Sequence, residues 1–143
     1  MVFESHPNID SIVESQNPFT NPKKLLLIDG IGAAVTSVVT GLILTTLVET
    51  GLPTTWLYAL AAIAAMCACF DLYAYFAAND AWWPLATIGA LNLIYCVITM
   101  IICIACASSV TAVATVYFAL EMMVVAPLAL WELAIARHRR HAS

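Results

Sequence analysis

Basic residues are scarce in this sequence and confined to its ends. The 143 residues contain five: Lys23 and Lys24 near the start, and Arg137, Arg139 and Arg140 near the finish. Between Lys24 and Arg137 there is no Lys, Arg or His. So few cations, so placed, make no groove-tracking surface for nucleic acid. The three histidines, His6, His138 and His141, all lie in the terminal arms, which argues against a histidine-based metal centre. No glycine-rich phosphate loop, HExxH or Ser-His-Asp order appears, so no residue pattern assigns a reaction or calls for a cofactor. The short alternating segments of a membrane β-barrel are missing as well. Charged residues of both signs make up 10% of the chain, against about 25% in an ordinary soluble domain.

What fills the sequence instead is apolar: 63% of residues are hydrophobic and the mean hydropathy is +0.93. A soluble chain this short has no core large enough to hide that surface. The apolar residues fall into four runs, at about 25–48, 55–78, 82–107 and 110–136. Each exceeds the ~20 residues a helix needs to cross a hydrocarbon core. With no water there to satisfy open backbone, helices are the remaining solution. The connections "ETGLPT", "AND" and "SS" are short. The predicted fold is therefore all-α, a transmembrane four-helix up-down bundle. Because the lysines and arginines flank the first and last runs, the positive-inside rule puts both termini in the cytoplasm. Trp56 falls at the outer end of the second span, Trp82 and Trp83 at the inner start of the third, and Trp131 at the inner end of the fourth, as interfacial tryptophans do.

The chain divides accordingly. Residues 1–22 form a polar cytoplasmic arm without the charged and apolar regions of a cleaved signal. Residues 23–136 form the membrane domain. Residues 137–143 form a basic tail in which Arg137, Arg139 and Arg140 are candidates for binding anionic lipid headgroups.

Each span carries a face of small or polar residues. In the first, Gly30, Ala34, Ser37 and Gly41 run beside Asp29, Ala33, Thr36 and Thr40. The second has Ala64, Ala68, Asp71 and Tyr75. The third has Gly89, Asn92, Cys96, Thr99, Cys103 and Cys106, and the fourth Ala114, Tyr117, Glu121, Val124 and Leu128. Such seams suit close helix packing in lipid. The acids need a further reason, since a carboxylate at mid-bilayer costs at least ~2.5–3.5 kcal/mol on insertion scales. Counting ~1.5 Å per residue, Asp29 lies roughly 6 Å and Asp71 roughly 10 Å from the cytoplasmic end, with Asn92 and Tyr95 at roughly 12–18 Å. Glu121 falls near the midplane, six residues before Pro127, which is expected to disturb the helix around Met123. Asp29, Asp71, Asn92 and Glu121 thus predict a polar ladder, with Tyr75, Tyr95 and Tyr117 as hydrogen-bonding candidates. Two readings stay open, a ligand- or proton-binding site and structural hydrogen bonding. Asp29 has a third, capping the start of its helix. Asp80 and Glu132 are assigned to the solvated interface.

Cys103 and Cys106 form a CxxC at the outer end of the third span. This raises a quinone-linked thiol oxidoreductase, as in four-span bundles that use a CxxC near that face. The helix end there is a C-terminus, whose dipole disfavours a thiolate, and the cysteines lie on the small-residue seam. Cys67 and Cys69, two residues apart, point in different directions.

The segments "LLLIDGIGAAVTSVVTGL", "GLP" at the first external connection and "ALNLIY" in the third span resemble a group of small four-span bacterial membrane proteins of DoxX-like plan. The resemblance spans roughly residues 25–136. It implies the fold and a bacterial inner membrane, without an activity. The leading functional reading is a non-enzymatic integral membrane protein that binds a small ligand or passes protons or cations through Glu121, Asp71, Asn92, Tyr95 and Asp29. The alternative is a structural or accessory subunit, pairing with itself or with a partner membrane protein through its helix faces.

Overall fold

The computed structural model describes residues 21–77 and 82–142. The arm up to residue 20, His6, Asp80 and the connection between the second and third spans lie outside them. The described chain is all-helical. Helix α1 has three parts: Pro22–Val38, a π-helical turn Val39–Ile43 and a last α turn Leu44–Thr46. Helix α2 is Thr54–Ala77, α3 is Trp83–Ala105 and α4 is Ala112–Ala142. All four are long and apolar enough to cross a membrane, which makes the chain an integral membrane protein. Their outer faces carry bare Leu, Ile, Val and Phe side chains, as lipid-facing helices do.

Local chemistry sets the helix ends. Asn21 caps α1, its side-chain oxygen accepting from the Lys23 N–H at 3.1 Å, with proline opening the helix. The capping role considered for Asp29 is thereby excluded: it lies two turns further in and is buried. The fourth helix does not stop at residue 136 but continues through the basic segment to Ala142. It also passes through Pro127 without a break. The proline removes one backbone donor but leaves the flanking turns helical.

The helices associate as two tight pairs. α1 lies along α2, and α3 along α4; α2 and α3 touch over a shorter stretch, while α1 and α4 barely meet. In the first pair, Ser37 Oγ donates to the Ala61 carbonyl at 2.9 Å, and Gly41 sits so close that a Cβ there would come within 2.8 Å of the Ala61 methyl. The π turn around Gly41 inserts extra backbone per turn, and Thr40 and Leu44 both face inward there. Two apolar clusters fill the bundle ends. Leu25, Leu26, Ala74, Leu85, Ile88 and Ala136 pack at one, and Leu44, Leu52, Leu57, Ile102, Ala114 and Phe118 at the other.

The α1–α2 and α3–α4 connections are joined. Thr111 donates its N–H to the Thr50 carbonyl at 3.0 Å and its hydroxyl to the Glu49 carbonyl at 2.9 Å. Gly51 holds φ at 72° in this junction, and a Cβ on it would sit 1.7 Å from the Ser109 carbonyl oxygen. At the opposite end, the Arg140 guanidinium lies 5.3 Å from the Trp82 ring centroid, a cation–π contact.

Gly51→Ala is therefore expected to lower thermal stability in detergent by more than the ~1–2 kcal/mol of left-handed strain alone, because backbone must also move. Gly32→Ala, with nothing within 4 Å of its Cβ position, serves as the control and should leave the melting temperature unchanged or slightly raised. Equal effects of the two would contradict the packed junction.

Candidate functional site

The polar residues predicted to form one ladder form two groups. In the first, each helix contributes one side chain: Asp29 from α1, Asp71 from α2, Asn92 from α3 and Glu132 from α4, all buried. Asn92 Nδ2 donates to Asp29 Oδ2 at 2.8 Å. Asp71 and Glu132 are completely buried, and none of their carboxyl oxygens accepts a well-formed hydrogen bond. Both are electrostatic neighbours of Asp29, at looser geometry, and Glu132 also approaches Asn92. An ionised carboxyl only accepts, so a bond between Asp29 and Asp71 requires a shared proton. Gly30 makes room for this group, its Cβ position lying 3.0 Å from that of Asp71.

Glu132 corrects the sequence reading. The sequence places it at the solvated interface, and the structure encloses it fully. The reason is the length of α4: ten helical residues follow Glu132, so it sits well inside the bundle. Ala129, Glu132 and Ala136, spaced three and four, are the buried residues of that stretch. Asp80, assigned with it, lies outside the described residues.

The second group sits further along the bundle. Tyr95 donates its hydroxyl to Glu121 Oε1 at 3.0 Å, bonding α3 to α4. The other carboxyl oxygen of Glu121, Oε2, is buried without a partner. Thr40 and Tyr117 share a hydrogen bond of 3.0 Å between α1 and α4, and Thr36 lies near both Glu121 and Tyr117. Tyr75 takes no part and packs edge-on against Phe76.

Between the groups lies a cavity of about 440 Å³. Asp29 and Asn92 line it from one side, and Tyr95, Tyr117 and Glu121 from the other. Of the four ladder residues only Asp71 is not in its wall. It stands behind Asp29, on the α2 side. Thr36 adds a hydroxyl to the wall, and the rest is apolar, from Val39, Ala64, Val125 and Leu128. Val35, Leu120 and Val124 also border it yet are 57–67% exposed on the outside of the bundle. Val124, expected in the packed seam, thus stands at a rim, because α1 does not close over that part of α4. The cavity volume falls within the ~300–1,000 Å³ typical of small-molecule sites. Among the described residues, no three His, Cys, Asp or Glu side chains are grouped to ligate a metal ion.

The remaining candidates lie elsewhere. All five cysteines carry free thiols. Cys67 is buried and Cys69 exposed, while Cys103 and Cys106 are half-buried at the far end of α3, the latter capping it. Arg137 and Arg140 border a separate surface hollow with Trp82.

Two substitutions separate bonded from unbonded members of the first group. Asn92→Ala removes the donor to Asp29 and should cost about 1–3 kcal/mol, seen as a lower melting temperature. Glu132→Met replaces an unpartnered buried carboxyl with an apolar side chain of similar length, and should be neutral or stabilising. A Glu132→Met protein as unstable as Asn92→Ala would show that Glu132 is well bonded.

Compared with known proteins, the chain matches no family model, no curated protein and no solved structure.

Proposed function

We propose that this is a non-enzymatic integral membrane protein that binds a small ligand in the cavity between α1 and α4, with Glu121 as the principal ligand-facing group. The up-down arrangement with both termini in the cytoplasm, and the placement in a bacterial inner membrane, are part of the proposal. They rest on the lysine and arginine distribution and on the resemblance to small four-span bacterial proteins. One observation carries the ligand reading. Glu121 Oε2 makes no well-formed hydrogen bond, with Thr36 nearby at looser geometry, and belongs to a residue that lines a 440 Å³ cavity. A buried acceptor left without a donor costs about 1–3 kcal/mol, and a bound donor removes that cost.

The same arrangement favours a ligand over ion conduction. A proton or cation path needs polar or wet groups through both ends of the bundle, whereas the end beyond Tyr95 and Phe118 is packed with leucine, isoleucine, alanine and phenylalanine. Asp29, Asn92 and Tyr95 then act as orienting and hydrogen-bonding neighbours, and Asp71 with Glu132 as the structural backing of Asp29. A second reading, an accessory subunit that docks against another membrane helix, draws support from a shallow groove of about 280 Å³ along the outer α1–α2 face, floored by Gly30, Ala34 and Ala68.

A thermal-shift screen of lipophilic amines, alcohols and acids in mild detergent tests the ligand reading. At least one class should raise the melting temperature of the wild-type protein by several degrees. The shift should vanish in Glu121→Gln and shrink in Tyr95→Phe, the latter also lowering unliganded stability by about 1–3 kcal/mol because Glu121 Oε1 loses its donor. Stabilisation by none of the classes, together with a stable stoichiometric oligomer by native mass spectrometry, would favour the accessory-subunit reading instead.

A further inference from the structure

The cavity's walls, rim and charge together narrow what it takes. This inference rests on the ligand reading above and deepens it. Apolar clusters pack toward both ends of the bundle, around the polar group at one of them. The gap that remains lies between α1 and α4, which barely touch. Its rim residues, Val35, Leu120 and Val124, are more than half exposed on the lipid-facing surface, and Gly32, also at the rim, has open space where a side chain would project. An occupant therefore arrives sideways, from the hydrocarbon, and must be soluble there.

Once inside, it meets the carboxyls of Glu121 and Asp29, neutral hydroxyls from Thr36, Tyr95 and Tyr117, and no positive charge. Glu121 offers the unpartnered Oε2, with Oε1 already held by Tyr95. Asp29 stands across the cavity, bonded to Asn92 and backed by Asp71 and Glu132. No Lys, Arg or His lies between Lys24 and Arg137 to balance these four acids. A cation that also donates hydrogen bonds would supply the charge that the neutral hydroxyls do not.

We propose that the ligand is a lipophilic amine, drawn from the bilayer through the gap between α1 and α4, with its nitrogen paired to the Glu121 carboxyl and its apolar body along Val39, Val125 and Leu128. Only a proton is shared between the partners: an N–H···O contact forms and no covalent bond breaks. The amine–carboxyl pair is neutral as a whole whichever partner brings the proton, so binding leaves no net charge stranded in hydrocarbon. Asp29 is the lesser partner because its carboxyl is already engaged by Asn92 and faces Asp71.

Three probes with one apolar body separate the terms: 4-phenylbutylamine, 4-phenylbutan-1-ol and 4-phenylbutyric acid, titrated into the full-length protein in lipid nanodiscs, with protein-free nanodiscs subtracted. The amine should bind at least about tenfold more tightly than the alcohol, the worth of one charge-assisted hydrogen bond, and the acid should bind most weakly. Glu121→Gln should erase the preference for the amine. Val124→Trp, which adds bulk at the exposed rim, should slow amine uptake without lowering the melting temperature. Equal binding of amine and alcohol, indifferent to Glu121→Gln, would overturn the amine and leave the cavity as a binding site for neutral lipophiles. Binding by none of the three would overturn both. The ranking in the wild-type protein decides the question even if a variant fails to assemble.

Discussion

The Asn92–Asp29 hydrogen bond is the contact on which the arrangement of the bundle turns. In lipid there is no hydrophobic force to drive one apolar helix onto another, so association falls to close packing and interhelical hydrogen bonds. Within each pair, α1 with α2 and α3 with α4, close packing is extensive and is joined by the Ser37–Ala61 and Tyr95–Glu121 hydrogen bonds. Between the pairs it is thin, and the bond from Asn92 Nδ2 to Asp29 Oδ2 reaches across. Thr40 and Tyr117 make a second bridge further along. The two bridges hold the pairs at a fixed spacing, and α1 and α4 make little contact away from the Thr40–Tyr117 bond.

The cavity follows from that spacing. With one bridge toward each end and apolar clusters beyond, the space in the middle is bounded everywhere except between α1 and α4. Glu121 is placed in this space by Tyr95, which fixes one carboxyl oxygen and leaves the other unbonded. The two polar groups therefore do different work. Asp29, Asp71, Asn92 and Glu132 join one residue from each helix at a buried crossing, whereas Glu121 sits at the edge of an accessible volume. The π turn of α1 contributes from the opposite wall by bringing Thr40 inward to Tyr117.

Much of this was legible in the sequence. Four apolar runs without internal cations specify four helices, because length and hydropathy are set by the solvent the helices face. The inward placement of Asp29, Asn92, Tyr95 and Glu121 was legible because a polar group in an apolar run has few places to go but inward. Their division into two groups was not, since it depends on how the pairs are spaced rather than on depth along each span. Glu132 was misread because Trp131 and the arginines beyond it resemble the end of a span, yet α4 carries on to Ala142. The spacing of Ala129, Glu132 and Ala136 held the signal. The inward turn at Thr40 also escaped, since a π turn leaves little trace in a run of Val, Thr, Gly and Leu.

The central claim is that the Glu121 cavity communicates with hydrocarbon and not with water. Water-edited and lipid-edited solid-state NMR of the glutamate- and valine-labelled protein in bilayers measures this directly. The account predicts that the Glu121 carboxyl and the Val124 methyls receive magnetisation from lipid acyl chains early and from water late. Rapid build-up from water at Glu121, comparable to that at an exposed loop residue such as Glu49, would contradict it and point to an aqueous path through the bundle.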